Sequence, residues 1–153
     1  MSNLKDTLQN DLTAAMRGGD DVAKSTLRMA LAAVKAAEVA GDAAVELNDD
    51  AVIAVLQQEV KKRNEAAEVY DGAGRTEAAA KERAEAEVLA RYLPPAMSED
   101  ELKAVVAEEI AAAAAAGNTG MKAMGVVVKS VRERVGSSAD GALIAQMVKA
   151  ALA

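Results

Sequence analysis

The sequence contains no cysteine, no histidine, no phenylalanine and no tryptophan. Without cysteine there is no disulfide, no thiolate metal site and no thiol nucleophile. Without histidine the commonest general base and the commonest metal ligand are both missing. Only Tyr70 and Tyr92 are aromatic, so an unpaired base has almost nothing to stack on. No run of 18 apolar residues occurs, so no membrane-spanning helix is expected. The opening Met1-Ser2-Asn3-Leu4-Lys5-Asp6 is polar and does not read as a signal peptide. A cytoplasmic location is the expectation.

Autonomous catalysis lacks its usual parts as well. Ser25, Ser98, Ser130, Ser137 and Ser138 fall at caps or on helices, with no Gly-x-Ser-x-Gly elbow. The phosphate-loop pattern is absent. Asp49-Asp50 and Glu108-Glu109 read as helix-surface and cap residues rather than metal ligands. No catalytic residue, metal or cofactor is therefore expected. The formal charge of −6 argues against wholesale binding to nucleic acid but leaves a local basic patch open.

What the 153 residues do contain is Ala, Val, Leu and Met, within a hydrophobic share of 52%. Ala is the best helix former, and small side chains let helices approach closely. The pattern predicts an all-α protein of seven helices, an N-terminal four-helix unit followed by a small three-helix C-terminal domain. Helix one runs over about 3–16, with Leu4, Leu8, Leu12 and Met16 as its stripe. Helix two runs over about 22–39, with Leu27, Ala30, Leu31, Val34 and Ala37 facing the core. Helix three, about 49–70, uses Ile53, Leu56 and Val60, then Ala67 and Tyr70. Helix four, about 77–92, uses Ala80, Ala84, Val88, Leu89 and Tyr92, with Thr76 as its cap. Its charged face includes Lys81, Arg83, Glu85 and Arg91. Helices three and four are long and joined by a short turn, so they should pair as an antiparallel hairpin.

Both prolines lie together, in Tyr92-Leu93-Pro94-Pro95. Proline lacks an amide donor and disfavours helix in the residue before it, so a helix must stop near Tyr92 or Leu93. Ser98-Glu99-Asp100-Glu101 follows directly and reads as a capping box that starts another helix. The stretch is expected to be a hinge between residues 1–93 and 97–153. Tyr92 should pack its ring at the base of the first unit and leave its hydroxyl at the surface. After the prolines, helix five spans 98–116 with Leu102, Val105, Val106 and Ile110 inside, ending in a loosely packed alanine run. Helix six spans about 121–135, with Met121, Met124, Val128, Val131 and Val135 inward. Helix seven runs from the turn at 137–141 to Leu152 and should bury Leu143, Met147, Val148 and Leu152.

Two sets of cations stand out. Lys61, Lys62 and Arg63 are consecutive, so they point in three directions and form no single clamp. Glu59–Arg63 and Lys61–Glu65 are i,i+4 pairs and predict a salt-bridged surface; with Arg75 these residues form a secondary basic surface. From Asn118 onward there are five cations (Lys122, Lys129, Arg132, Arg134, Lys149) against two acids (Glu133, Asp140). Lys122, Lys129 and Arg132 follow i, i+7, i+10 and should share one face of helix six. Gly120 just before it allows a backbone to approach, and the helix N-terminus suits a phosphate. Gly120, Lys122, Lys129 and Arg132 are the candidate nucleic-acid-binding residues. The plainer reading is a solvated face on a short helix.

Taken together, several short motifs resemble the GatB/YqeY family along most of the chain. They are Leu27-Arg28, Val60-Lys61-Lys62-Arg63-Asn64-Glu65, Ala73-Gly74-Arg75, Ala86-Glu87-Val88-Leu89, Tyr92-Leu93-Pro94, Gly120-Met121-Lys122-Ala123-Met124-Gly125 and Ala139-Asp140-Gly141. The resemblance implies a helical N-terminal domain and a small three-helix domain similar to the tail of the GatB subunit of tRNA-dependent amidotransferase. That enzyme amidates glutamyl-tRNA or aspartyl-tRNA with glutamine as amido donor, and its tail contacts the tRNA while the chemistry lies elsewhere. The partners implied are tRNA and an amidotransferase subunit or an aminoacyl-tRNA synthetase. The competing class is a helical protein–protein adaptor with no tRNA role. One departure concerns the last turn. Family members often carry Gly-Arg-Ala-Asp-Gly there, whereas this chain reads Gly136-Ser137-Ser138-Ala139-Asp140-Gly141 and lacks the arginine.

Overall fold

The computed structural model describes residues 3–153. Among them there is no strand, and the protein is all-α. Seven α-helices follow in order: α1 Asn3–Gly18, α2 Asp21–Glu38, α3 Asp49–Gly72, α4 Thr76–Ala90, α5 Glu99–Ala115, α6 Met124–Val135 and α7 Gly141–Leu152. The 3₁₀ turns Gly120–Ala123 and Gly136–Ser138 bracket α6. The chain divides into two compact units, one ending at Leu93 and the other spanning Pro94–Ala153.

The first unit contains α1 to α4. Gly19 ends α1 at φ 73, and the Asp20 side chain then caps α2 by accepting from the amide of Ala23 at 3.1 Å. Asn48 caps α3 in the same way through the amide of Ala51. The core gathers Leu8, Leu27, Ala30, Val34, Val52, Leu56, Val88 and Leu89. The α3–α4 pair is the most extensive packing in the unit. Asp71 pairs with Arg83 and Arg63 with Glu85, so contacts run in opposite directions along the two helices, as in an antiparallel hairpin.

Several side chains face differently from expectation. Four-residue steps overshoot a 3.6-residue turn by about 40° each, so a stripe of such steps drifts around the helix. On α1 the drift carries Met16 out to solvent, and Ala15 is buried instead. On α3 the buried line begins at Val52 rather than Ile53. On α4 it uses Ala79 rather than Ala80. The N-cap of α4 is Arg75, with no side-chain cap bond, so Thr76 is already the first helical residue. Glu85, assigned to the charged outer face, is only 7% exposed. It is drawn inward by Arg63. The Tyr92 hydroxyl is not free at the surface either. It donates to the Asp11 carboxylate, and burial together with that bond pushes its pKa well above the ordinary tyrosine value.

In the second unit α5, α6 and α7 all pack against one another. Ser98 accepts from the Glu101 amide, and Glu101 reaches back to the Ser98 amide, each at 3.1 Å. The capping box is therefore complete. The Met97 amide donates to the carbonyl of Ser138 at 2.8 Å, which ties the start of the unit to the turn before α7. The core is Leu102, Val106, Ala113, Ala123, Val127, Val131, Val135, Ile144 and Val148. Ala113 belongs to it, so the alanine run is not merely a loose end. Leu143 and Met121, both expected inside, do not; they are 37% and 49% exposed. A 3₁₀ turn advances 120° per residue instead of 100°, and that changes the phase on which the inward assignment of Met121 rested.

Candidate nucleic-acid interface

The α6 region is shaped by its two ends. Thr119 is extended and Gly120 takes φ 66, a left-handed backbone that favours glycine. The chain then tightens into the 3₁₀ turn before α6 proper begins at Met124. At the far end Gly136 turns the chain at φ 55. In between, Ala123, Val127, Val131 and Val135 are buried and fix which side of the helix faces outward.

Lys122, Lys129 and Arg132 are all exposed. Among the described residues none of the three has a carboxylate partner. Lys129 and Arg132 are three residues apart on α6 and share a side. Lys122 belongs to the 3₁₀ turn, so the regular i, i+7, i+10 relation does not extend to it. Arg134 is removed from the basic set. Its guanidinium bonds Glu108 at 2.5 Å and Glu109 at 3.4 Å, both on α5, and the Glu108 bond raises its pKa. Arg132 lies against the start of α7. A Cβ built on Gly141 would come within 2.8 Å of an Arg132 terminal nitrogen, so this guanidinium lies close over the glycine.

The second basic set is not one surface. Lys61 and Lys62 are exposed, and Lys62 pairs with Glu59 at 3.3 Å. Arg75 is exposed and stands 5.1 Å over the Tyr70 ring, a cation–π contact. Arg63 is buried, only 5% exposed, and this corrects its assignment to the surface. Glu59 accepts from it at 3.3 Å, Glu85 lies 3.5 Å from its Nε, and its Nη2 reaches the Met29 sulfur at 3.6 Å. The i,i+4 spacing revealed the Glu59 partner. Nothing local in the sequence pointed to Glu85, which comes from the next helix. Lys61–Glu65 forms no ion pair among the described residues.

The YqeY-like protein family matches residues 5–152, nearly the whole sequence. The chain belongs to that family. No curated protein matches it. In this YqeY-like protein no group of three or more acidic, histidine or cysteine side chains among the described residues could hold a metal ion. No helix among them is long and apolar enough to cross a membrane. A groove of about 550 Å³ in the second unit is lined mainly by apolar side chains of α5 and α7, including Val106, Leu143 and Met147, with Glu99, Lys103 and Gln146 among its polar lining. It presents no nucleophile and base in partnership.

Proposed function

We propose that this YqeY-like protein is a non-catalytic tRNA-binding accessory protein, acting through a tail-like domain in the cytoplasm. On this reading residues 1–93 and 97–153 are separate domains of four and three helices. The second is the counterpart of the amidotransferase tail, and the partner machinery is an amidotransferase subunit or an aminoacyl-tRNA synthetase. The observation that carries the proposal is the polarised charge of the second unit. The acids Glu99, Asp100, Glu101, Glu108 and Glu109 sit on α5. Lys122, Lys129 and Arg132 instead stand exposed on the 3₁₀ turn and α6 with no ion pair to an acid among the described residues, Glu133 being the one acid on that helix. A face of that kind neutralises phosphates even when the whole chain is negative. Arg132 strengthens the reading. It reaches the Ala139-Asp140-Gly141 turn from α6 and places a guanidinium beside the turn that lacks its own arginine.

Filter binding of tRNA across a salt series tests this. Binding is expected at low salt, falling linearly in log–log form as salt rises. Lys129→Glu with Arg132→Glu should lower affinity about tenfold or more and reduce the salt slope by about 1 per residue. No binding at low salt, or no loss in the double reversal, overturns the proposal. A second reading, an adaptor that holds a protein partner, is favoured by the exposed Met16 and Met29 of the first unit, since methionine surfaces adapt to varied partners. A partner that stays bound after nuclease treatment, in a pull-down with wild-type protein but not with Met16→Glu and Met29→Glu, would decide for it.

A further inference from the structure

Gly125 is unexplained by anything inside the molecule. It lies in the first turn of α6, and a Cβ added there would meet nothing within 4 Å. Of the ten glycines, five take positive φ, Gly18 and Gly72 are the last residues of α1 and α3, and Gly41 falls in the connection before α3. Gly141 makes room for Arg132. Gly125, like Gly18, Gly41 and Gly72, has neither a positive φ nor a close contact to account for it, but of these four it alone stands at the start of a helix rather than at a helix end or in a connection. Glycine in a helix is less favourable than alanine, and this chain uses alanine freely at neutral helix positions. The glycine is also placed in a telling register. Gly125, Lys129 and Arg132 follow i, i+4, i+7 and are all exposed, so they form one stripe. Glu133, four residues after Lys129, borders the stripe, and Lys122 stands before it on the 3₁₀ turn, outside the helical register.

We propose that this stripe docks on the sugar–phosphate backbone of a double-helical RNA stem, with Gly125 as the point of closest approach and Lys122, Lys129 and Arg132 on the flanking phosphates. The proposal rests on the tRNA reading above and narrows it to the class of surface bound. A bare Cα lets the helix backbone approach a ribose or phosphate more closely than any side chain allows. A stem is favoured over a single strand because both tyrosines precede Pro94. The second unit therefore has no aromatic ring on which a splayed base could stack. The shallow minor groove of A-form RNA, by contrast, offers hydroxyls and phosphates to a helix face.

Fluorescence anisotropy of the full chain with tRNA, an RNA hairpin stem and an unpaired RNA of the same length tests the proposal, using wild type, Gly125→Ala and Gly125→Leu. Wild type should prefer the stem to the unpaired strand. Gly125→Ala should melt at a higher temperature than wild type yet bind the stem about tenfold more weakly, the loss of one close contact. Gly125→Leu should bind more weakly still. Opposite movement of stability and affinity is a result that a purely structural glycine could not give. If wild type binds tRNA and both variants bind the stem as well as wild type does, the close-approach inference fails while the tRNA reading stands. Equal or tighter binding of the unpaired strand overturns the choice of a stem. No binding of tRNA at low salt overturns both.

Discussion

Arg63 shows how far one side chain can depart from its sequence context. It stands in a run of cations yet is buried, between Glu59 on its own helix and Glu85 on α4. Its Nε lies near enough to Glu85 for charge attraction but has no aligned hydrogen bond. Removing the buried arginine takes the cation from the buried Glu85 and leaves Glu59 with only the exposed Lys62. Arg63→Ala should therefore cost about 3–5 kcal/mol in urea unfolding, whereas Lys61→Ala, at an exposed position, should stay within about 0.5 kcal/mol. Tyr92 gives a pH-dependent counterpart. Its pKa is raised, first by burial and then by the bond to Asp11, so the fold favours the protonated phenol. That contribution is complete below the ordinary tyrosine value of 10.0 and disappears as pH rises beyond it. Wild type should lose more stability than Tyr92→Phe between about pH 9 and pH 11 in paired denaturant titrations; parallel losses would show that the phenol does not contribute.

At the scale of the helices, punctuation was easier to read than facing. Ser98-Glu99-Asp100-Glu101 announced the start of α5, and both halves of the capping box are present. Ser98→Ala should lower stability by about 1 kcal/mol, read as a lower midpoint in chemical unfolding followed by far-UV circular dichroism. Helix order and type were legible because alanine-rich runs between glycines and prolines leave few alternatives. Facing was less legible where the apolar set is mostly Ala and Val. Neighbouring small residues such as Ala79 and Ala80 give nearly the same pattern, and only packing against α3 chooses between them. The phase of the α6 region was missed for a different reason. The 3₁₀ turn before it is set by Gly120, and a helical wheel drawn through Met121 does not contain that change of pitch. The same step separates Lys122 from the regular series of Lys129 and Arg132. The cations of the candidate site were therefore readable from the sequence, but their grouping was not. Gly125 and the Arg132–Gly141 fit emerge only with the backbone in place.

For the whole molecule, the two units differ in how each can be observed. Their buried cores are distinct clusters. One is built around Leu27, Leu56 and Leu89, the other around Leu102, Val127 and Ile144. Both tyrosines belong to the first unit, so tyrosine fluorescence reports the first unit, while far-UV circular dichroism reports helices of both. Leu102 and Leu56 are each almost completely buried. Truncating either leaves a cavity worth about 2–5 kcal/mol, a large share of what a small three-helix core can supply. If the units are separate domains, Leu102→Ala should lower the melting of part of the far-UV signal and leave the tyrosine-detected transition in place. Leu56→Ala should do the reverse, shifting the tyrosine transition and leaving the remaining helical signal to melt as before. A tyrosine transition that moves with Leu102→Ala would show one cooperative body, and the tail-like unit would then lose its standing as a domain able to fold, and bind RNA, on its own.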